Sequence, residues 1–283
     1  MKALYAGEKG SFAELAAREY FGPQHSIEQV ELFEDVFNAV KHDREVYGIV
    51  PIENTRAGSV HRNYDLLLES HCYIIGELYL KIGHYLIANR GTTLKKVHRV
   101  LSHPQALAQC RRYLRRHPRL KTVETVNTAA AVKIIKDAQD GNAAAIASMQ
   151  AAIDFDMDIL AENIEDDHNN QTRFLVLGKK PQPPVADDQP IKSSIVYSMK
   201  NIPGALFKSL AVFSLRDIDL YKIESRPTFG QGFHYLFYLD FEGTIASERQ
   251  RNAIHHLKEM TTFFRFLGSY PVGKQVAPVF QRR

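Results

Sequence analysis

Between residues 181 and 190 the chain reads Pro-Gln-Pro-Pro-Val-Ala-Asp-Asp-Gln-Pro. Proline lacks a backbone N–H and holds φ at about −65°, so a stretch this dense in it can neither continue a helix nor pair into the middle of a sheet. It reads as a semi-rigid linker over 181–191 and marks a domain boundary in a chain of 283 residues. Beyond it the patterning gives a strand at 193–199, a helix at 203–214, strands at 217–226 and 233–241, a helix at 246–262 and a strand at 263–270. That β-α-β-β-α-β order, over 192–275, is the split, ferredoxin-like arrangement.

Ahead of the linker, strands and helices alternate as expected of a mainly parallel α/β sheet. Strands near 2–6, 27–32 and 47–52, with helices at 11–21, 33–42 and up to Ser70, make one lobe. The β-rich run from Cys72 to Ala88 is long enough to cross into a second lobe. There strands at 99–101, 121–126 and 143–147 alternate with helices at about 104–116, 128–139 and 148–154. The chain then returns to the apolar strand Phe174-Leu175-Val176-Leu177. The expected division is a catalytic region at 1–180, with lobe 1 at 1–75 and 165–180 and lobe 2 at 76–164.

An apolar fraction of 45% can fill such cores, and a net charge of +4 from 36 basic and 32 acidic residues describes a mixed surface. Arg111, Arg112, Arg115 and Arg116 share a helix with the apolar stripe of Cys110, Tyr113 and Leu114, so they read as its solvated face, with no nucleic-acid partner implied. No apolar run reaches the length of a membrane span and the N-terminus has no signal-like core, so no membrane partner and a cytoplasmic location are expected. Cys72 and Cys110 lack metal-ligand spacing and read as buried thiols.

Polar groups gather where strands end. Ser11 and Glu14 form a capping box behind the glycine turn Gly7-Glu8-Lys9-Gly10, at a helix start suited to an anion. Asn54, Thr55, Arg56 and Gly58 follow the third strand, at the end where α/β sheets collect ligands. Ser102-His103-Pro104-Gln105 opens one helix and Asn127-Thr128 opens another. Asn170-Gln171-Thr172-Arg173 runs directly into a buried strand, which would hold those groups rigidly.

Taken in order, Gly7–Phe12, Pro51-Ile52-Glu53-Asn54-Thr55 with Gly58 and Val60, Ser102–Leu107, Asn127–Ala131, Ala144–Ser148, Asn163–Leu177, Pro203-Gly204-Ala205-Leu206 and Glu224-Ser225-Arg226-Pro227 resemble the signature segments of the prephenate dehydratase family. The last two are similar to the amino-acid-binding ACT module found at the C-terminus of its members. Departures are Glu8-Lys9 where a proline is frequent, Ala13 where a hydroxyl is usual, and Phe155-Asp156 where Tyr-Gly is common.

The resemblance implies an α/β fold: a two-lobed, type 2 periplasmic-binding-protein-like catalytic region with a C-terminal ferredoxin-like βαββαβ ACT domain. It implies a monofunctional lyase converting prephenate to phenylpyruvate with loss of water and carbon dioxide in phenylalanine biosynthesis. No cofactor and no metal are implied, because aromatisation drives the step. Thr172, Arg173 and Asn54 take the catalytic roles, with Thr172 facing the leaving hydroxyl and Arg173 anchoring a carboxylate. Ser11, Thr55, Ser102, Gln105, Asn127, Thr128 and Phe174 bind substrate. Gly204, Ala205, Leu206, Glu224, Ser225, Arg226 and Pro227 bind the effector L-phenylalanine between chains of a homodimer or homotetramer. A chain ended at 180 is then expected to keep some catalysis and lose the response. Arogenate dehydratase is the rival within the class, and an amino-acid-binding sensor or a nucleic-acid-binding regulator the rival outside it.

Overall fold

The computed structural model describes residues 2–182, 189–227, 235–278 and 280. Most of the linker lies outside these residues, as does the glycine-containing turn expected after Pro227. The first lobe is built from β1 (Lys2–Ala6), α1 (Phe12–Phe21), β2 (Ser26–Val30), α2 (Phe33–His42), β3 (Val46–Asn54), the short β4 (Gly58–Ser59), α3 (His61–Ser70) and β5 (Tyr73–Lys81). The second contains β6 (Tyr85–Ala88), β7 (Arg99–Ser102), α4 (Pro104–Gln109), α5 (Arg111–Arg116), β8 (Lys121–Glu124), α6 (Thr128–Ala138), β9 (Ala143–Ala147), α7 (Met149–Asp154) and β10 (Asp158–Ala161). β11 (Gln171–Gly178) returns to the first lobe. The C-terminal domain follows as β12 (Ile191–Met199), α8 (Ala205–Ser214), β13 (Leu220–Pro227), β14 (Tyr235–Glu242), α9 (Glu248–Met260) and β15 (Thr261–Pro271), and the chain ends through β16 (Gln275–Val276).

Among the described residues these strands make three sheets. The first has the order β16-β5-β11-β3-β1-β2 with β4 beside β3, the second β10-β6-β9-β7-β8, and the third β13-β14-β12-β15. This is the two-lobed α/β fold with a ferredoxin-like C-terminal domain. The first two sheets are less parallel than the alternation suggested, since β11 runs antiparallel to both β3 and β5 in the first and β6 antiparallel to both β9 and β10 in the second. A strand returning from the second lobe must run against the strand that left for it. Its first residues, Gln171 and Thr172, therefore lie beside the last residue of β3, Asn54. The change of sheet falls at 82–84 and not at 76, because β5 stays paired with β11 as far as Lys81.

The expected helix over 104–116 is broken at Cys110. Asp166 causes the break: its N–H donates to the Gln109 carbonyl at 2.7 Å, and its carboxylate accepts the Arg112 N–H at 2.9 Å. One residue thus closes α4 and opens α5, and it leaves Gln109 at the end of α4 facing the gap between lobes. Cys72 and Cys110 are both free and buried.

The C-terminal domain shares a core with the first lobe. Val196, Tyr238, Leu267 and Tyr270 belong to one buried cluster with Val50, Ile52, Leu67, Ile74 and Leu175. Backbones approach closely at Gly268, where φ is +153° and an added Cβ would lie 2.0 Å from the Ile74 carbonyl oxygen. Arg265 donates to the carbonyls of Leu67 (2.9 Å), Leu68 (2.6 Å) and Cys72 (2.8 Å), satisfying the C-terminal end of α3 from outside its own domain. The domain boundary is thus a packed interface as well as a linker.

Candidate active site

Carboxyl ends of strands in the two lobes face one another across a cavity of about 500 Å³. From the first lobe it is lined by Phe12, Ala13, Pro51, Asn54, Gly58, Thr172 and Phe174, and from the second by His103, Gln105, Gln109, Asn127 and Thr128. Ile82 and His84, on the crossing between sheets, form its floor. The lobes touch beside it: Ser148 Oγ donates to the Gly10 carbonyl at 2.6 Å, and a Cβ at Gly10 (φ +79°) would come within 2.7 Å of Ala151 Cα.

Strand alternation decides which signature residues reach the cavity. On β11, Thr172 and Phe174 point into it; on the adjacent strand, Asn54 sits opposite Thr172. Asn54 is locked by its own turn, since its Oδ1 accepts the N–H groups of Arg56 (2.9 Å) and Ala57 (3.0 Å). Its Nδ2 then donates to Thr172 Oγ1 at 2.9 Å and to Asn170 Oδ1 at 2.9 Å. Having accepted that bond, Thr172 keeps its own O–H as a donor, polarised by the amide behind it.

Arg173 faces the other way. Its side chain is 4% exposed, with Nε 2.7 Å from Glu77 Oε2, Nη1 3.0 Å from Glu53 Oε1 and Nη2 2.7 Å from Asp240 Oδ2. Lys192 adds a second cation on Glu77 at 2.7 Å, and Lys222 pairs with Glu53. Burial disfavours the Asp240 carboxylate and the Arg173 charge outweighs it, so Asp240 is held below its ordinary value; Arg173 is raised well above its own by Asp240, Tyr270 and Glu77 against the opposing effect of burial. The expectation that Arg173 anchors a substrate carboxylate is therefore corrected. In a period-2 strand a residue adjacent to Thr172 must leave by the opposite face, and here that face meets the C-terminal domain.

Other expected binding residues divide similarly. Gln105, Asn127, Thr128 and Phe174 line the cavity. Ser102 is fully buried and donates into its own lobe, to the Ile146 carbonyl at 2.6 Å. Ser11 serves α1 as its N-cap, accepting the Glu14 N–H at 3.4 Å, and the exposed Thr55 accepts the Gln171 N–H at 3.0 Å. These three hold the walls and do not line the cavity. Phe12 and Ala13 replace Ser11 there; as the first residues of α1 they present backbone N–H groups with no partner inside the helix. Asn127 and Thr128 place a second helix start, that of α6, on the same space. Ala13 brings no hydroxyl, so the hydrogen-bond donors that α1 brings to this space are backbone N–H groups.

Gln109 and His84 were not singled out from the sequence. Gln109 escaped notice because its exposure depends on Asp166 ending α4, and His84 because it lies inside an otherwise apolar strand run. A smaller pocket of about 230 Å³ continues from Gln105 and Gln109 to Arg56, Glu165, Asp166, Asp167 and Asn170. Arg56 bridges to Asp167 at 2.6 Å across its mouth. Among the described residues lining the two spaces, Arg56 is the one arginine or lysine.

In the C-terminal domain Gly204, Ala205 and Leu206 line a pocket of about 210 Å³ with Ile202, Phe207 and Tyr235. Glu224 and Arg226 do not line it. They reach the first lobe, where Ser59 Oγ donates to Glu224 at 2.7 Å and Arg226 holds both oxygens of Asp65 at 2.8 and 2.9 Å. Ser225 and Pro227 alternate to the exposed side of β13.

Residues 3–182 match the family model described as prephenate dehydratase. Arogenate dehydratase 2 of Petunia hybrida is 43% identical over 98% of this chain and 73% of its own length. The bifunctional chorismate mutase/prephenate dehydratase of Aquifex aeolicus is 40% identical over 96% of this chain and 74% of its own. A prephenate dehydratase from Arthrobacter aurescens, solved in complex with L-Phe, superposes with a TM-score of 0.89 at 29% identity, covering 96% of this chain and 90% of that one. Among the described residues no helix is long and apolar enough to cross a membrane.

Proposed function

The chain belongs to the prephenate dehydratase family, and from that premise we propose that its cleft removes water and carbon dioxide from prephenate to give phenylpyruvate. Residues 2–182 then carry the catalysis, and the C-terminal domain, an ACT module over 191–271, carries the regulation. The observation that supports the substrate is the lining of the main cavity: helix starts, amides and hydroxyls, and no Asp or Glu among the described residues. Such a lining suits a keto acid with two carboxylates; arogenate would bring an ammonium group with no carboxylate to meet it there.

In the reaction the bond from the ring to its carboxylate carbon breaks, and the electron pair moves through the ring to expel the hydroxyl at the far side. The carboxylate departs as carbon dioxide, the hydroxyl takes one proton and departs as water, and the ring becomes aromatic. Thr172 donates to the departing oxygen, backed by Asn54. The helix starts at Phe12-Ala13 and Asn127-Thr128 receive carboxylates, with Gln105 and Gln109 as amide donors and Arg56 at the rim. Phe174 gives the ring an apolar wall.

Arogenate remains the second reading, favoured by the adjoining pocket, where Glu165, Asp166 and Asp167 offer carboxylates. Incubation with each substrate separately, assaying phenylpyruvate and phenylalanine, decides: prephenate should give the higher kcat/KM, and turnover of arogenate alone would reverse the assignment. L-Phenylalanine is proposed to bind at Gly204–Leu206, supported by the pocket there and by the L-Phe complex of the Arthrobacter relative. Homo-oligomerisation through this face fits the exposed Phe207 and Ile202.

A further inference from the structure

His84 is 2% exposed and lines the floor of the cleft, yet it takes no part in the chemistry described above. Its Nε2 lies 2.8 Å from Gln109 Oε1, its backbone N–H donates to Glu165 at 2.9 Å, and the ring of Phe12 meets it edge-on at 5.9 Å. Its Nδ1 has no hydrogen-bond partner among the described residues.

Resting on the proposed reading of the cleft, we propose that His84 is a positioning residue: as the neutral Nε2–H tautomer it holds the Gln109 carbonyl, so that the Gln109 amide N–H groups face the substrate. The orientation follows by elimination from backbone groups, whose polarity is fixed. Asn54 Oδ1 accepts two backbone N–H groups, so Asn54 Nδ2 must be the atom that faces Asn170. The Asn170 atom there is consequently its oxygen, and its Nδ2 is the donor 3.0 Å from Gln109. Gln109 must answer with Oε1, and His84 Nε2, directed at that same oxygen, must carry a hydrogen. The opposite tautomer would bury an unpaired N–H at Nδ1, a rarer arrangement than an unpaired acceptor. Thr172, Asn54, Asn170, Gln109 and His84 thereby form one connected chain across both lobes, in which Asn54 donates to both of its neighbours and Gln109 Oε1 accepts from both of its own. Its two ends differ in use: Thr172 spends its hydrogen on the substrate, and His84 spends its own on Gln109.

Two measurements test this. In the intact, ligand-free protein labelled with nitrogen-15, long-range proton–nitrogen spectra report each imidazole tautomer, and His84→Gln identifies the His84 signals by their loss. The Nε2–H form is expected at neutral pH, and an Nδ1–H or doubly protonated ring would overturn the proposal. This measurement holds whichever substrate is turned over and needs no variant to be active. The second is a cycle of kcat/KM values on the better substrate. Loss of one neutral hydrogen bond should make His84→Met roughly fivefold to tenfold slower, while His84→Gln, which can place an N–H near the same point, stays within about twofold. In a Gln109→Met background His84→Met should add nothing. Equal losses in both backgrounds, or His84→Gln as slow as His84→Met, would make His84 a packing residue and overturn the role assigned here.

Discussion

Thr172 and Arg173 are neighbours on β11 and serve opposite faces of one sheet: Thr172 Oγ1 accepts from Asn54 at 2.9 Å in the cleft, while the Arg173 guanidinium lies 2.7 Å from Asp240 of the C-terminal domain. The pair across from them repeats the division, with Asn54 in the cleft and Glu53 in the interface. One strand thus joins the cleft, the proposed reaction site, to the domain boundary with no intervening residue.

Thr172→Val keeps the β-branched shape and removes the donor. Turnover should fall about 10²-fold with the Michaelis constant little changed, since the lost bond strengthens only as the hydroxyl leaves. Steady-state kinetics check this, and near-normal turnover would remove Thr172 from the mechanism.

Arg173→Met should act on stability first. It strips the shared cation from buried Glu77 and Asp240, and breaking a buried pair from one side costs about 3–5 kcal/mol. Urea unfolding should show it; an unchanged midpoint with a raised Michaelis constant would restore Arg173 to substrate binding. For the same reason a chain ended at residue 182 should fold poorly, since it would leave Arg173 without Asp240 and expose the apolar face that Val196, Tyr238, Leu267 and Tyr270 cover. The expectation of an active, unregulated truncation is thereby withdrawn.

Arg56 should contribute binding and little chemistry. It stands at the cleft rim, half exposed and shared with Asp167, so Arg56→Ala should raise the Michaelis constant about fivefold to tenfold at similar turnover. A fall in kcat with unchanged KM would place it at the reacting centre.

The strands and helices were readable because each carries its own period, Asn54 and Asn127 because they close a turn and cap a helix, and Gln105 because it follows the His103 cap and Pro104 at a helix start. Arg173 was misread for a nonlocal reason. Alternation alone says that it leaves opposite Thr172, but only the packing of β12, β14 and β15 on that face turns an exposed position into a buried ion cluster. Gln109 was invisible for a similar cause, because the residue that ends its helix, Asp166, is 57 positions away. β16 and β4 are two-residue strands with no period to detect.

Acid should loosen the interface. Burial pushes the Asp240 and Glu53 carboxyls up; Arg173 and Ser194 at Asp240, and Lys222 and Arg173 at Glu53, more than reverse this and hold both below their ordinary values. Depressed carboxyls contribute stability that is complete above the unfolded value, near about pH 4, and is lost as pH falls through the folded one. The urea midpoint should therefore hold from neutrality to about pH 5 and drop below about pH 4. Asp240→Asn should start lower at neutrality and lose less in acid. Parallel acid profiles for the two proteins would show that Asp240 is not the group responsible.

Phenylalanine inhibition should depend on the contacts that β13 makes with the first lobe. The proposed effector pocket at Gly204–Leu206 lies across the C-terminal sheet from the cleft, so binding there must move something that touches the cleft wall. β13 does so at three points, the first being the pairing of Lys222 with Glu53. Glu224 takes the Ser59 hydroxyl, and Ser59 pairs with Glu53 on the strand that ends in Asn54; Arg226 grips Asp65 on the first turns of α3 with two hydrogen bonds. Gly58, Ser59 and Val60 themselves line the cavity. A shift of β13 would thus reach Asn54 and Thr172 through one short hairpin. Asp65→Asn keeps the side chain's size and removes the charge that fixes Arg226. Calorimetry should find phenylalanine binding to this variant with an affinity within about threefold of the parent, while the inhibition it produces weakens by more than that. Should binding and inhibition fall together, Asp65 supports the effector site itself; should neither change, the coupling runs through the Arg173–Asp240 cluster, and Asp240→Asn becomes the variant to titrate.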